Sequence, residues 1–354
     1  MRKLSRWAPI LSVLAVAVFL GCAPQRPGLP AAETPKAIAP ALPGVNARHV
    51  VVDNHVHYLD FVQKTDGFEA LAQAMDAANV EKAVVFGIPM VKMWTEADPI
   101  PPTYYMHTDS RAYYYSGTDF ILAHDLSKQP REVQDRFFPF ICGINPLDLN
   151  AADQVEMLLK MYPGFWKGVG ELMSRHDDLT ALTYGEPPRA DHPALMRVYQ
   201  LAARHKLPVL IHHNISSAWK REPIYLKELE NALKENPRTT FIWAHAGISR
   251  RVDVPTLLAD LWRVLSAYAN LSIDISWVVY PDYIAKDKES MGRWVALIEE
   301  FPDRVMIGSD KVAHWSGYRE EITKYYDLLD RLRPATAAKV AKGNILRMLG
   351  GSAQ

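Results

Sequence analysis

Histidines and carboxylates recur in this chain wherever a short apolar run ends. His55 and His57 follow Val50-Val51-Val52-Asp53, Glu171 ends the run from Trp166, and His212 follows Val209-Leu210-Ile211. His245 comes two residues after Phe241-Ile242-Trp243, and Asp310 three after the run Arg304 to Ile307. Neutral imidazole together with carboxylate suits zinc or a similar divalent cation, and a catalytic site leaves one coordination position to water. Such a cation lowers the pKa of its water to about 7. A neighbouring carboxylate can then take the proton as the water attacks an electrophilic carbon. The pair His55 and His57 is a weak signal by itself in a chain with 12 histidines. Six such side chains at the ends of five separate runs are a strong one.

The runs that must position them alternate with helical patterns. Gly67 to Ala78 repeats apolar residues at helical spacing (Phe68, Leu71, Ala72, Met75) and leads into a second strand over Lys82 to Gly87. Phe137 to Gly143 is the third strand, and Ala151 to Met161 is helical; Trp166 to Glu171 is the fourth, followed by a helix over Pro193 to His205. The fifth, Val209 to Ile211, precedes a helix over Tyr225 to Glu235, and the sixth, Phe241 to Trp243, one over Pro255 to Tyr268. Leu271 to Ile275 and Arg304 to Ile307 are the seventh and eighth, with helices following to Leu349. Continuous apolar strands separated by helices imply a parallel sheet covered by helices. Eight strand–helix units predict an α/β fold of the closed (β/α)8 TIM-barrel type. An open doubly wound sheet would want a glycine-rich phosphate turn after its first strand, and Asn54-His55-Val56-His57 stands there instead. Barrel enzymes keep their chemistry at the C-terminal ends of the strands, where the six side chains fall. Strict alternation along a strand predicts that Asp53, His55 and His57 share the inner face. By the same rule Lys167 shares a face with Glu171, about 13 Å deeper.

The start of the chain reads differently. Arg2, Lys3 and Arg6 precede an apolar run from Trp7 to Leu20 that ends at Gly21-Cys22, the pattern of a secretory signal over 1–21. Phe19-Leu20-Gly21-Cys22 resembles a bacterial lipobox, which implies lipidation of Cys22 and a membrane-anchored, exported protein facing the periplasm or the cell exterior. Six prolines between Pro24 and Pro43 make 22–45 a semi-extended spacer, so the folded domain is expected over 46–350. Cys142 is the second of only two cysteines, which excludes a disulfide-stapled scaffold. Forty Lys and Arg balance forty Asp and Glu, and that neutrality argues against a nucleic-acid partner, which demands a basic excess. The expected partner is a small molecule, with the membrane reached through the lipid anchor; a homo-oligomer is compatible with the sequence.

The ordered set of motifs resembles the amidohydrolase superfamily, and within it the amidohydrolase-related (amidohydrolase-2) branch. It is carried by Asp53-Asn54-His55-Val56-His57, Gly168-Val169-Gly170-Glu171, Leu207 to His212, Trp243-Ala244-His245-Ala246-Gly247, Ile307-Gly308-Ser309-Asp310 and the tail Gly343-Asn344 with Arg347 and Leu349, and spans about 50 to 350. The resemblance implies His55, His57, His212 and Asp310 as metal ligands. His245 is implied as a ligand of a two-metal site, or as an acid and carbonyl polariser beside a single metal. Asp310 is implied to orient or deprotonate the water. Many relatives carry a carboxylated lysine on the fourth strand; Glu171 stands there, as in TatD-like relatives whose glutamate contacts metal. Strand alternation admits only one of His212 and His213 to the inner face, and the family pattern selects His212.

The substrate side is carried by fewer signs. The long connection 88–117 holds Trp94, Tyr104, Tyr105, Tyr113, Tyr114 and Tyr115 and follows a strand, as a lid or pocket wall would. Arg175, His176, Trp277, Tyr280, Lys311 and His314 lie just beyond strand ends and are the candidate substrate contacts. His124 with Asp125 reads as a surface pair, and His49, His192 and His205 as structural. The leading expectation is a metal-dependent hydrolase acting on an ester, lactone or amide of a small, aromatic substrate. A metal-dependent decarboxylase of an aromatic or enoic acid is the alternative from the same branch. A non-catalytic, surface-anchored ligand-binding barrel is the third reading.

Overall fold

The computed structural model describes residues 48–350; the signal segment, Cys22 and the proline-rich spacer lie outside the described residues. Eleven strands are β1 (Val51–His57), β2 (Val80–Phe86), β3 (Met90–Lys92), β4 (Ala112–Tyr114), β5 (Phe137–Ile141), β6 (Gly168–Ser174), β7 (Val209–His213), β8 (Phe241–Trp243), β9 (Leu271–Asp274), β10 (Val305–Met306) and β11 (Lys311–Val312). Nine of them form one parallel sheet in the order β10-β9-β8-β7-β6-β5-β2-β1-β11. The last two are halves of a single eighth barrel strand. β10 pairs with β9, and β11 pairs with β1. Between them Ile307 O accepts from Asn54 N at 3.1 Å and Asp310 N donates to His55 O at 2.9 Å. That strand closes the ring into an eight-stranded α/β barrel, and all eight expected strands are present.

Helices cover the outside for the reason their sequences give. Gly67–Ala77 buries Phe68, Leu71, Ala72 and Met75, the expected face. Pro193–Arg204 starts with proline in its first turn and is capped by the His192 ring, which accepts from Ala194 N. Lys288–Glu300, between β9 and β10, is capped by the Asp287 carboxylate, which accepts from Ser290 N at 2.7 Å. Among the described residues no helix is long and apolar enough to cross a membrane.

The barrel interior is divided along its axis. Val52, Val84, Phe140, Leu210, Ile242 and Met306 fill the lower part, joined by Ile345 and Leu346 of the C-terminal helix Asn344–Met348. Asn344 binds that helix to the barrel by donating to the carbonyls of Pro302 and Val305. The upper part is polar.

Two expectations about this interior are overturned, and for one reason. The β1–β2 ladder is irregular between Asp53 and Val56, and the β6–β7 ladder between Val169 and Leu172. A bulge inserts one residue and reverses the alternation beyond it. Asp53 therefore does not share a face with His55 and His57. Its carboxylate accepts from Tyr318 Oη of the helix layer at 2.7 Å, and from His55 N and Ser309 N. Lys167 does not lie beneath Glu171 either: it faces outward, its ammonium donating to Gly164 O. Gly170 makes the second bulge passable. Its φ is +139°, and a Cβ there would sit 2.2 Å from Leu210 O.

The connection 88–117 is a hairpin as well as a loop, since β3 and β4 pair antiparallel. Lys92, fully buried, donates to Tyr105 O at 3.2 Å and Thr108 O at 2.6 Å, tying the tyrosine segment down.

Candidate metal centre

His55 and His57 reach the mouth of the barrel with their ring nitrogens already assigned. His55 Nδ1 is 2.7 Å from the Asp274 carboxylate and His57 Nδ1 is 3.1 Å from Gly87 O. Both partners are acceptors, so each Nδ1 carries the proton and each Nε2 presents a lone pair. Those two Nε2 atoms are 3.4 Å apart, and each is 3.3 Å from Asp310 Oδ1. Ligands about 2.0–2.2 Å from one cation at tetrahedral angles are separated by about 3.3–3.6 Å. The triangle has the size that a single cation requires.

Glu171 joins a second set to the first. Its Oε1 is 3.7 Å from His55 Nε2 and 3.4 Å from His245 Nε2, and its Oε2 is 3.4 Å from His57 Nε2. His55, His57 and Asp310 form one group able to hold a cation, and His55, Glu171 and His245 form another. His212 belongs to neither. Its Nδ1 meets Glu171 Oε1 at 3.1 Å and its Nε2 meets Asn214 Oδ1 at 3.1 Å. The inner face of β7 thus carries His212, as alternation with Leu210 demands, but the imidazole supports the glutamate. His213 faces the other way, toward Ser174 Oγ and Tyr225 O.

The electrostatics agree with cation binding. Burial disfavours the His57 imidazolium, yet hydrogen bonds and charge from Asp310 and Glu171 outweigh it and lift the group to about 9. Burial likewise opposes His55, and Glu171 and Asp274 drive it well above the usual histidine range. Burial pushes Glu171 and Asp310 up, but the surrounding imidazoles hold Glu171 well below, and Asp310 below, the ordinary carboxylate range. The carboxylates gather positive charge onto the imidazoles, and a divalent cation would supply that charge instead of the protons.

The backbone at this end is unusual in the same places. Asp310, His245, Ala246, Trp277 and Arg175 all have positive φ between 45° and 58°. Such conformations cost about 1–3 kcal/mol each and persist only where the surrounding structure over-determines them. Gly308 is dictated by proximity, since a Cβ there would lie 2.7 Å from His55 Cβ.

A cavity of about 450 Å³ opens over the donors. His57, Glu171, His212, His245 and Asp310 line it together with the apolar side chains of Phe61, Ile88, Tyr104, Tyr105, Met173, Leu179 and Trp277. His176 lines it as expected, stacked on His212 with ring centres 4.4 Å apart; burial and the His212 charge push it well below its usual range. Trp277, Lys311 and His314 also line it. Of the aromatics in 88–117, Tyr104 and Tyr105 reach the cavity, whereas Tyr113 is exposed elsewhere.

Two expected substrate contacts are corrected. Arg175 turns away, its Nε 2.8 Å from Glu228 Oε2, its Nη2 on Glu228 Oε1, and its guanidinium over the Tyr225 ring. Tyr280 is buried against Tyr325 with ring centres 4.6 Å apart, outside the cavity lining. Asp274 and Arg250 are among the residues that escaped the sequence reading. Asp274 fixes the His55 ring, and its position at the end of the seventh apolar run was the available signal. Arg250, five residues past His245, lines the cavity; nothing in its local sequence sets it apart from Arg251.

The family described as amidohydrolase matches residues 131–351, so β1 with His55 and His57 lies before the matched segment. No curated protein matches the chain. A zinc-bound amidohydrolase from Burkholderia multivorans superposes with a TM-score of 0.55 at 15% identity, covering 86% of this chain and 100% of that one. A dihydroxybenzoic acid decarboxylase from a Polaromonas species, with bound manganese and the inhibitor 2-nitroresorcinol, gives 0.53 at 13% identity over 85% and 96%. The 2,6-dihydroxybenzoate decarboxylase from Rhizobium gives 0.50 at 14% over 85% and 98%. At these identities the likeness establishes the barrel fold.

Proposed function

The chain belongs to the amidohydrolase family, and from that premise we propose that it is a metal-dependent decarboxylase of a small aromatic or enoic acid. The carrying observation is the cavity itself: convergent lone pairs and carboxylates share one chamber with flat aromatic and aliphatic side chains. Such a chamber suits a planar, ring-bearing acid. The decarboxylases among the structural neighbours support the same choice over hydrolysis.

His55, His57 and Asp310, with Glu171 and His245, are the residues that would hold the cation, zinc or manganese. When bound, it supplies a positive charge to the substrate's oxygens. Asp274 keeps the His55 ring in its donor tautomer, and His212 keeps Glu171 in place. Tyr105, Trp277 and the cavity wall orient the planar body and exclude water. The bond from the ring or vinyl carbon to the carboxylate breaks, its electron pair stays on that carbon, and carbon dioxide leaves. Asp310 is the group through which the replacing proton reaches that carbon. It is the more open of the two clustered carboxylates, at 10% side-chain exposure against 1% for Glu171. Its depressed pKa keeps it ionised near neutrality, so it takes a proton from solvent water, passes it to the carbon that holds the electron pair, and ends again as a carboxylate.

Hydrolysis uses the same Asp310 as acceptor of a proton from the attacking water. The deciding experiment offers the metal-loaded protein hydroxybenzoic and enoic acids beside esters, lactones and amides. Carbon dioxide released from an acid and abolished by a chelator is expected. Cleavage of esters, lactones or amides with every acid left intact overturns the decarboxylase reading in favour of the hydrolase.

We also propose that the barrel works on the exported side of a membrane, tethered through acylated Cys22; the support is the sequence of 1–45. Replacing Cys22 by Ser moves the protein from the membrane fraction to the soluble one, and unchanged fractionation removes the tether.

A further inference from the structure

Most arginines around the mouth of the barrel are spent on carboxylates. Arg175 is held by Glu228, Arg251 by Asp178, and Arg221 by Asp253 at 2.9 Å. Arg250 is different. Among the described residues no carboxylate lies within 4.0 Å of its guanidinium, although it faces the cavity that holds the metal donors. It is nevertheless fixed. Its Nε donates to Tyr104 Oη at 2.7 Å, and its cationic carbon lies 5.4 Å from the Tyr104 ring centre and 5.6 Å from that of Trp277. The Trp277 ring is in turn 5.1 Å from the His245 ring, so one indole separates this cation from the donor cluster.

A guanidinium has five N–H donors in a rigid plane. Tyr104 takes the one on Nε, and the two aromatic neighbours set the plane, which leaves the Nη groups for a ligand. A carboxylate matches that fork in size and geometry. Lys311, also without a carboxylate partner among the described residues, lines the same cavity.

Resting on the decarboxylase reading for the identity of the site, we propose that Arg250 is a specificity-determining anion subsite: the preferred substrate carries a second carboxylate that stays on the product. The acid group that departs is the one beside the metal donors. The one that remains is clamped by Arg250 between Tyr104 and Trp277. Tyr104 is then a positioning residue, and the tyrosine segment stapled by Lys92 carries half of the clamp.

Calorimetry on the metal-loaded protein tests this without turnover, with benzoate, phthalate, isophthalate and terephthalate as probes. At least one dicarboxylate is expected to bind about tenfold or more tightly than benzoate, the size of one charge-assisted contact at a partly open site. Arg250→Met erases that preference, read as the ratio of dicarboxylate to benzoate affinity in the same variant, while thermal unfolding stays unchanged because the side chain stands at the exposed mouth. Arg250→Lys keeps the charge without the fork and restores only part of it. The subsite is overturned if no dicarboxylate binds more tightly than benzoate, if nothing binds, or if the preference survives in Arg250→Met. Carbon dioxide release is read separately. A dicarboxylate preference that depends on Arg250 without any decarboxylation refutes the reaction and keeps the subsite, and decarboxylation indifferent to Arg250 does the reverse.

Discussion

The lower and upper halves of this barrel are made by the same strands and have opposite chemistry. Val52, Leu210 and Ile242 pack an apolar interior, and a few residues along, His55, His212 and His245 present imidazoles. On β7 the change needs only alternation, since Leu210 and His212 are two apart. On β1 and β6 it needs a bulge. The ladders slip between Asp53 and Val56 and between Val169 and Leu172, immediately below His57 and around Glu171. The lower half holds the fold together by removing apolar surface from water. The upper half holds polar groups that cancel one another's burial cost only in combination.

That division can be broken at either end. Replacing His55 by Ala removes a lone pair shared by both donor sets, and it should lower activity and metal affinity well beyond the about 100-fold typical of a supporting residue. Metal stoichiometry and turnover check it, and folded protein with full metal content would refute the site. Leu210→Ala should do the converse, destabilising by about 2–5 kcal/mol through a buried cavity while metal stoichiometry in the folded protein stays unchanged. Denaturant titration with metal analysis reads both. Asp274→Asn falls between them, since it loosens the His55 ring without removing a donor; about 10- to 100-fold weaker metal binding is expected, measured by competition with a chelator.

The smallest effect concerns pH and again sets two buried carboxylates against each other. Asp119 accepts from Cys142 N and Gly143 N, at 3.0 and 2.9 Å, and burial raises it from 3.8 to about 7. Glu171, buried as deeply, is held low by imidazoles. The folded state therefore keeps a proton on Asp119 between about pH 4 and 7 that the unfolded chain has lost. Its contribution is fully present below pH 4 and is lost as the pH rises through 7, by at most about 1.4 kcal/mol per pH unit. Glu171 acts with the opposite sign: its contribution is present above its unfolded pKa and is lost as the pH falls. Between pH 4.5 and 6.5, Asp119→Asn should lose less thermal stability with rising pH, or gain more, than the unsubstituted protein. Parallel profiles would show that Asp119 stays ionised.

Much of this was legible in the residues because it is local. Runs of β-branched and aromatic residues gave the eight strands, helical spacing gave the helices, and chain order around a parallel barrel put His55, His57, Glu171, His245 and Asp310 at one end. The rest depends on partners distant in sequence. A bulge is a property of two strands in register, so counting by twos misplaced Asp53 and Lys167. Arg175 and Arg250 look alike as residues beyond a strand end, and Glu228, 53 positions away, is what removes Arg175 from the cavity. His212 was turned to Glu171 by geometry that no motif encodes. The sequence by itself determined which chemistry could be assembled and at which end of the barrel. Tertiary structure decided which atoms converge, because ion pairs and strand register are settled between segments far apart along the chain.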